Sequence, residues 1–390
     1  MTRSKGALKT SYIAIAVIVI IVIAAIAIYL TTMPKPTPTP TPTTPISPTS
    51  TPTTPASPTP TSPTPTLTPT TSPPPPGLIP FRVTTSTPGS GTQKMMLEMT
   101  IVLKREMPKY DFLALTVPGY VAGLKMYCTG DAEAAYAYSI QAVQLYTLTG
   151  AFKGFEPKRI PSLLFTLTTF EYGIAIHQKD LGKITKWSDL DGKTIFMYPP
   201  AWGAHILYRD YIFPALGIKP NFVEIDFEMV GTALTKGDIV ATGVYTSGGG
   251  RDLPPWVAEM TLTTPIAILN PTPDELAKLE AKGIKLFKVD LTKHKPFKTD
   301  VKAEFMYTAV LTTILFTDDK VFPEEDAYNF LKVIEKNIRE LESIDPAFGQ
   351  LAEDFVGLQL LGVEDMRSYY PNVPIHPGLV KYLKEKGVWK

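Results

Sequence analysis

Hydrophobic and polar positions divide the chain into three unlike stretches. Residues 12–30 form an unbroken run that is almost all Ile, Val and Ala. As a helix at 1.5 Å per residue it spans roughly 28 Å, close to the ~30 Å hydrocarbon core of a bilayer. Through 34–76 apolar positions all but vanish and Pro, Thr and Ser take over. From residue 78 onwards short apolar runs alternate with helical spacing. Strands are predicted at 79–85, 112–117, 132–137, 194–198, 222–225, 239–245, 266–269, 284–289 and 308–316. Helical stretches fall between them, ending near Glu106 and Gly130 and covering about 206–216. Ala327, Phe330, Leu331, Ile334, Ile338 and Leu341 recur at helical spacing, which predicts an amphipathic helix over 323–341. Strands alternating with helices of this length argue an α/β fold with mostly parallel sheets. No internal repeat is visible.

Charge sharpens this division. Arg3, Lys5 and Lys9 precede the apolar run and no basic residue follows it until Lys35. That asymmetry places the N-terminus in the cytoplasm and the body outside the cell. The run exceeds the 7–15 apolar residues of a removable secretory signal, and no small-residue cleavage site follows. Lys5-Gly6-Ala7-Leu8 is similar to the archaeal pilin-like signal, whose cleavage leaves the apolar helix in place. The expected order is therefore a cytoplasmic segment (1–11), a membrane helix or signal anchor (12–32), a stalk (33–77) and a body. The stalk holds 18 prolines and 21 Ser or Thr among 45 residues. It lacks the apolar surface to offset the entropy of ordering, so it reads as a disordered tether, extended by polyproline II. Its hydroxyls suit O-glycans.

The body carries 34 Lys and Arg against 37 Asp and Glu. No basic excess exists to hold nucleic acid. Cys128 is the single cysteine, so neither an intrachain disulfide nor a CxxC site can form. His177, His205, His294 and His376 share no ligand spacing, and HExxH, GxSxG and GxxxxGK[ST] are all missing. Neither a catalytic constellation nor a metal or cofactor site is expected. His376 reads as a turn residue; His205, which begins the helix after the Trp202 turn, is a lesser candidate for bordering a ligand and is not counted among the site residues.

What the body does offer is a set of strand-to-helix junctions rich in Gly, Ser and Thr. The first is Thr85-Ser86-Thr87 with Ser90-Gly91-Thr92, the second Gly119-Tyr120, and the third Tyr245-Thr246-Ser247 before Gly248-Gly249-Gly250. Junctions of this kind lie at the carboxyl ends of parallel strands, where open α/β sheets bind ligands. Free backbone N–H groups at the helix starts favour an anionic group there. Arg251 is a candidate partner for a carboxylate.

The C-terminal stretch Val373-Pro374-Ile375-His376-Pro377-Gly378-Leu379, continuing to Tyr382, Glu385 and Gly387, resembles the closing motif of the TAXI family. These are extracytoplasmic solute receptors of TRAP transporters. Asp189-Leu190-Asp191-Gly192-Lys193, Phe213-Pro214-Ala215-Leu216-Gly217 and Ala233-Leu234-Thr235-Lys236-Gly237-Asp238-Ile239 resemble further family segments, in the family's order. The resemblance implies a two-lobed type II periplasmic-binding-protein fold that closes on a small solute and hands it to an ion-driven polytopic permease. It implies lobe one as 78–178 plus 307–390 and lobe two as 179–306, with crossings near 176–179 and 307–310. Three family turns are altered. Gly119-Tyr120, Tyr138-Ser139 and Trp202-Gly203-Ala204 bring large rings where the family has small polar residues. Rings facing the cleft would favour a solute with apolar or sugar-like faces over a compact dicarboxylate, with amino acids as the other family-typical solutes. The expected receptor is thus membrane-tethered and non-enzymatic. The competing readings are a surface-tethered sensory or filament-associated ligand-binding protein, and an extracellular enzyme.

Overall fold

The computed structural model describes residues 77–389. The expected membrane helix and nearly all of the expected stalk lie outside the described residues. Among the described residues no helix is long and apolar enough to cross a membrane.

The first half of the sheet is built by β1 (Ile79–Thr84), β2 (Tyr110–Leu115) and β3 (Ala134–Tyr138), joined by α1 (Gly91–Glu106) and α2 (Tyr120–Thr129). β1 pairs in parallel with both β2 and β3. After α3 (Ser139–Thr147) comes the long strand β4 (Ser162–His177). The second half contains β5 (Thr194–Phe196), α4 (Gly203–Leu207), α5 (Phe213–Leu216), β6 (Asn221–Phe222), α6 (Phe227–Lys236) and β7 (Ala241–Ser247). Here β5 pairs in parallel with β6 and β7. A π-helical turn, Tyr208–Ile212, joins α4 to α5. α7 (Pro255–Thr263), β8 (Ile266–Ile268), α8 (Pro273–Ala281), β9 (Phe287–Asp290) and α9 (Leu291–His294) lead into β10 (Phe305–Thr317). Four helices finish the chain: α10 (Glu324–Ile344), α11 (Gly349–Glu353), α12 (Phe355–Tyr369) and α13 (Pro377–Glu385).

The strand order is β2-β1-β3-β10-β4-β7-β5-β6. The mostly parallel pairing expected from the alternation holds only for β1 with β2 and β3 and for β5 with β6 and β7. Every strand pairing made by the two central strands is antiparallel, β10 with β3 and β9 and β4 with β8 among them. β10 and β4 run antiparallel to each other, and β4 is antiparallel to β7 as well. The reason is length. Two strands of 13 and 16 residues each run through both halves, one outward and one back. β4 pairs with β10 over Ser162–Tyr172 and, on its other edge, with β7 over Phe170–Ile176. β4 is buried along nearly its whole length. Buried on both faces, it shows no polar alternation and reads only as a long run of apolar and β-branched residues.

The C-terminal motif does local work. His376 Nδ1 accepts the Gly378 N–H at 3.1 Å and so caps α13, while its Nε2 lies 2.9 Å from the Phe322 carbonyl. The proton therefore sits on Nε2. Burial, the largest influence, holds the ring's pKa below its ordinary value and keeps it neutral.

Candidate functional site

The junction residues from the two halves meet. Ser86, Ser90 and Thr92 from the β1–α1 turn, Tyr120 at the start of α2, Tyr138 at the end of β3, Trp202 before α4 and Tyr245 on β7 line one enclosed cavity. Phe170 and Tyr172 of β4 complete it. Period-two alternation explains this choice of β4 side chains. Tyr172 pairs with Tyr245 across the strands, and Glu171 pairs with Thr246. The first pair faces the cavity and the second faces the opposite side of the sheet.

The cavity is shared but small. Its volume of about 10 Å³ has room for roughly one water molecule. The hollow expected between the turns is thus filled by the rings that line it. Tyr120, Tyr138 and Trp202 are each buried to about the degree of core residues. Tyr120 and Tyr138 meet edge to face at 4.7 Å, and Tyr172 and Tyr245 lie 4.9 Å apart. Trp202 stacks beside Tyr198 at 6.2 Å and meets Phe227 edge-on at 5.7 Å. Tyr198 reaches this cluster from a left-handed backbone, φ 60°. That conformation is costly for a bulky residue, and such strain concentrates at functional sites. Its hydroxyl lies 2.9 Å from the Gly173 carbonyl and 2.8 Å from that of Val244.

Hydroxyls tie the rings together. Thr92 Oγ1 bonds Tyr120 Oη, and Tyr138 Oη bonds Tyr172 Oη. Burial pushes the Tyr120 phenol up to about 12, and raises Tyr138, Tyr172 and Tyr245 also, so all four stay neutral at ordinary pH. No Lys, Arg, His, Asp or Glu lines the cavity. Trp202 Nε1 is buried without a hydrogen-bond partner, as are both amide atoms of Gln141 and the hydroxyl of Thr87.

Backbone contacts bring the halves close at two glycines. A Cβ on Gly203 would stand 2.8 Å from Gln141 Nε2 and 2.9 Å from the Tyr138 ring. One on Gly119 would meet the Ala201 carbonyl at 3.2 Å. Gly91 contributes its N–H, which donates to Tyr245 Oη at 3.2 Å.

Other sequence candidates point elsewhere. Thr85 Oγ1 donates to the Leu115 carbonyl at 3.0 Å, and Ser139 Oγ donates to Asp365, whose carboxyl burial pushes up to about 6. Ala204 is buried within α4. Thr246 Oγ1 donates to Glu171 Oε2 at 2.8 Å on the far face, and the Ser247 amide closes the turn onto the Asp252 carbonyl at 2.9 Å. His205 does not border the cavity: its Nδ1 lies 2.7 Å from the Met197 carbonyl. Arg251 is engaged by Glu353 and the Gly248 carbonyl instead of facing the cavity. The three glycines before it all have φ between 66° and 84°, a left-handed run only glycine adopts cheaply. This turn aims the N–H groups of Gly249 and Gly250 at the Glu171 carboxyl, at 3.0 and 3.2 Å.

Phe170, Tyr172, Tyr198 and Gln141 carry no motif. Phe170 and Tyr172 are visible in sequence only as part of an aromatic and β-branched run that lacks proline. Among the described residues no group of three or more His, Cys, Asp or Glu is placed to hold a metal. The arrangement is chemically a neutral aromatic box with hydroxyl edges and unpaired donors.

The model of the NMT1-like family matches residues 96–387 of the chain. No curated protein sequence matches it. Among solved structures it is similar to the periplasmic aliphatic sulphonate binding protein SsuA from Escherichia coli, at 12% identity over 76% of this chain and 84% of that one, with a TM-score of 0.36. It is also similar to PhnD1 from Prochlorococcus marinus in complex with methylphosphonate, at 11% identity over 73% and 97%, with a TM-score of 0.41. A third is the ligand-binding component of an ABC-type import system from Staphylococcus aureus with zinc bound, at 12% identity over 79% and 92%, with a TM-score of 0.41.

Proposed function

Because the chain belongs to the NMT1-like family, we propose that it is an extracytoplasmic solute receptor whose two halves part to admit a small molecule and close around it. The carrying observation is convergence: turns separated by more than a hundred residues of sequence, from both halves of the sheet, line one cavity. In this reading 78–178 with 307–390 and 179–306 act as the two lobes. The closed arrangement has no space for a solute, so entry requires Trp202, Gly203 and Tyr245 to withdraw from Tyr120, Tyr138 and Gly91. The unpaired Trp202 Nε1 supports the reading, since a buried donor without a partner costs about 1–3 kcal/mol and a solute acceptor would satisfy it.

The lining chemistry selects the solute. With no countercharge in the cavity, a dicarboxylate or a free amino acid would have to bury its charge unpaired. Flat apolar or sugar-like faces with a few acceptors suit the rings and hydroxyls better. Handover to a TRAP-type permease, as in the TAXI family, and tethering through the membrane helix complete the proposal. The second reading, a surface-tethered sensory or filament-associated ligand-binding protein, uses the same cleft but passes no solute to a permease.

A thermal-shift screen of the full-length chain against sugars, aromatic solutes, amino acids and carboxylates tests whether the cleft binds a solute. A solute bound only by the folded state raises the melting temperature. A rise with a sugar or aromatic supports the proposed cleft chemistry; no rise with any class overturns the receptor reading.

A further inference from the structure

Gln141 stands in the first turn of α3 with 1% of its surface exposed, and neither its Oε1 nor its Nε2 has a hydrogen-bond partner. A primary amide offers two donors and an oxygen with two lone pairs, and folded proteins seldom bury such a group unpaired. Its position gives the reason. A Cβ on Gly203 would stand 2.8 Å from Gln141 Nε2 and 2.9 Å from the Tyr138 ring. Gln141 and Tyr138 belong to the first half and Gly203 to the second. The amide and the ring therefore lie side by side, both covered by the backbone of the opposing half. Withdrawal of Gly203 uncovers them together.

Two more unpaired groups lie close by in the chain. Trp202, which lines the cavity and precedes Gly203, has a buried Nε1 without a partner. Thr87, which follows the lining residue Ser86, has a buried hydroxyl without one. The tyrosine hydroxyls are already engaged: Tyr120 with Thr92, Tyr138 with Tyr172, and Tyr245 with the Gly91 N–H. None of the unpaired groups carries a charge.

Resting on the two-lobe reading above, we propose that Gln141 is the specificity-determining residue of the cleft and that its solute is a cyclic polyol. Nε2 donates to one ring hydroxyl, Oε1 accepts from the neighbouring hydroxyl, and the C–H face of the solute lies on Tyr138. A hydroxyl both donates and accepts, so a neighbouring pair matches the amide whichever way round it points. A ring with several hydroxyls also has a group for Trp202 Nε1 and one for Thr87. A flat solute with a single amide edge satisfies Gln141 and leaves the other two unpaired. A charged solute meets no countercharge.

The test is titration calorimetry of the full-length chain with D-glucose, D-galactose, D-mannose and myo-inositol, then with monodeoxy forms of whichever binds. Nicotinamide, a flat neutral ring with one amide edge, is the competing probe. Gln141→Met keeps the length of the side chain but removes both amide atoms. The free variant should melt at or above the parent, because two unpaired buried polar atoms are gone. Its affinity for the polyol should fall about tenfold or more. On the parent, deleting one of the two paired hydroxyls should cost a similar factor. On Gln141→Met the same deletion should cost nothing, since both changes remove one contact. A merely structural Gln141 would lower the melting temperature and leave the dependence on each hydroxyl intact.

A Gln141→Met chain that binds the polyol as tightly as the parent overturns the assignment of Gln141. If that variant does not fold, Gln141→Asn draws the amide back by one methylene: weaker polyol binding supports the assignment and unchanged binding overturns it. Binding of nicotinamide, or of another solute class, without binding of any polyol overturns the solute class while the receptor reading stands. Binding of nothing at all removes the receptor reading itself, so the two failures are told apart.

Discussion

The backbone N–H of Gly91 and the hydroxyl of Tyr245, 154 residues apart in sequence, meet at 3.2 Å between the two halves of the sheet. Gly91 opens α1, where backbone donors have no partner within the helix. Tyr245 supplies an acceptor from β7, so a ring of one half stops the helix end of the other.

Removing that acceptor tests whether the contact holds the body closed. Tyr245→Phe keeps the ring and leaves the Gly91 N–H unpaired. A loss of about 1–2 kcal/mol in unfolding free energy is expected, with a larger radius of gyration in solution scattering. An unchanged radius together with unchanged stability would show that closure rests elsewhere.

Gly203 offers a steric version of the same test. Gly203→Ala drives a methyl group to 2.8 Å from Gln141 Nε2 and 2.9 Å from the Tyr138 ring, both on the opposing half. Overpacking of this kind costs about 1–3 kcal/mol where the surroundings cannot relax. In the proposed two-lobe reading they relax by parting. The expected outcome is therefore a scattering profile of a more open body with only a modest fall in melting temperature. A large fall without expansion would mean that the halves do not separate.

How much of this was legible in sequence follows from what each residue does. The Ser86, Ser90 and Thr92 turn and the Tyr245 strand end were readable because strand-end junctions carry Gly, Ser and Thr for backbone reasons. Tyr120, Tyr138 and Trp202 stood out as large rings in turns that resemble family segments with small residues. Phe170 and Tyr172 were not readable: they sit mid-strand on β4, where burial on both faces erases alternation. The filling of the cleft was not readable either, since the distance between two halves is set by long-range packing. Pairing of Lys94 with Asp252 spans 158 residues and leaves no local trace.

Glu171 makes a pH-dependent prediction. Its carboxyl accepts from Thr169 Oγ1 at 2.5 Å, Thr246 Oγ1 at 2.8 Å and the N–H groups of Gly249 and Gly250. Burial outweighs these donors and pushes it up to about 7 from an ordinary 4.5. The folded chain thus holds this proton more tightly than the unfolded chain. Stability from Glu171 is full below 4.5 and is lost as pH rises to about 7, by roughly 3 kcal/mol at most. Glu171→Gln cannot titrate, but turns an NH₂ group towards donors at a cost of about 1–3 kcal/mol. Urea unfolding should show the variant clearly weaker than the parent at acid pH, with the gap narrowing towards neutrality. A gap that stays constant would place the Glu171 titration outside this range.

Trp202→Phe separates packing from recognition. The substitution keeps an aromatic ring against Tyr198, Phe227 and Tyr245 but deletes the unpaired Nε1. Two effects oppose each other in the solute-free chain. The smaller ring forfeits about 1–3 kcal/mol of packing, while losing a buried donor without a partner recovers about 1–3 kcal/mol. The melting temperature of the free chain should therefore move little. The shift produced by a solute that raises the parent's melting temperature should shrink, because its acceptor no longer meets a donor. If Trp202→Phe responds to that solute as fully as the parent, Nε1 takes no part in recognition and the solute lies against the tyrosines alone.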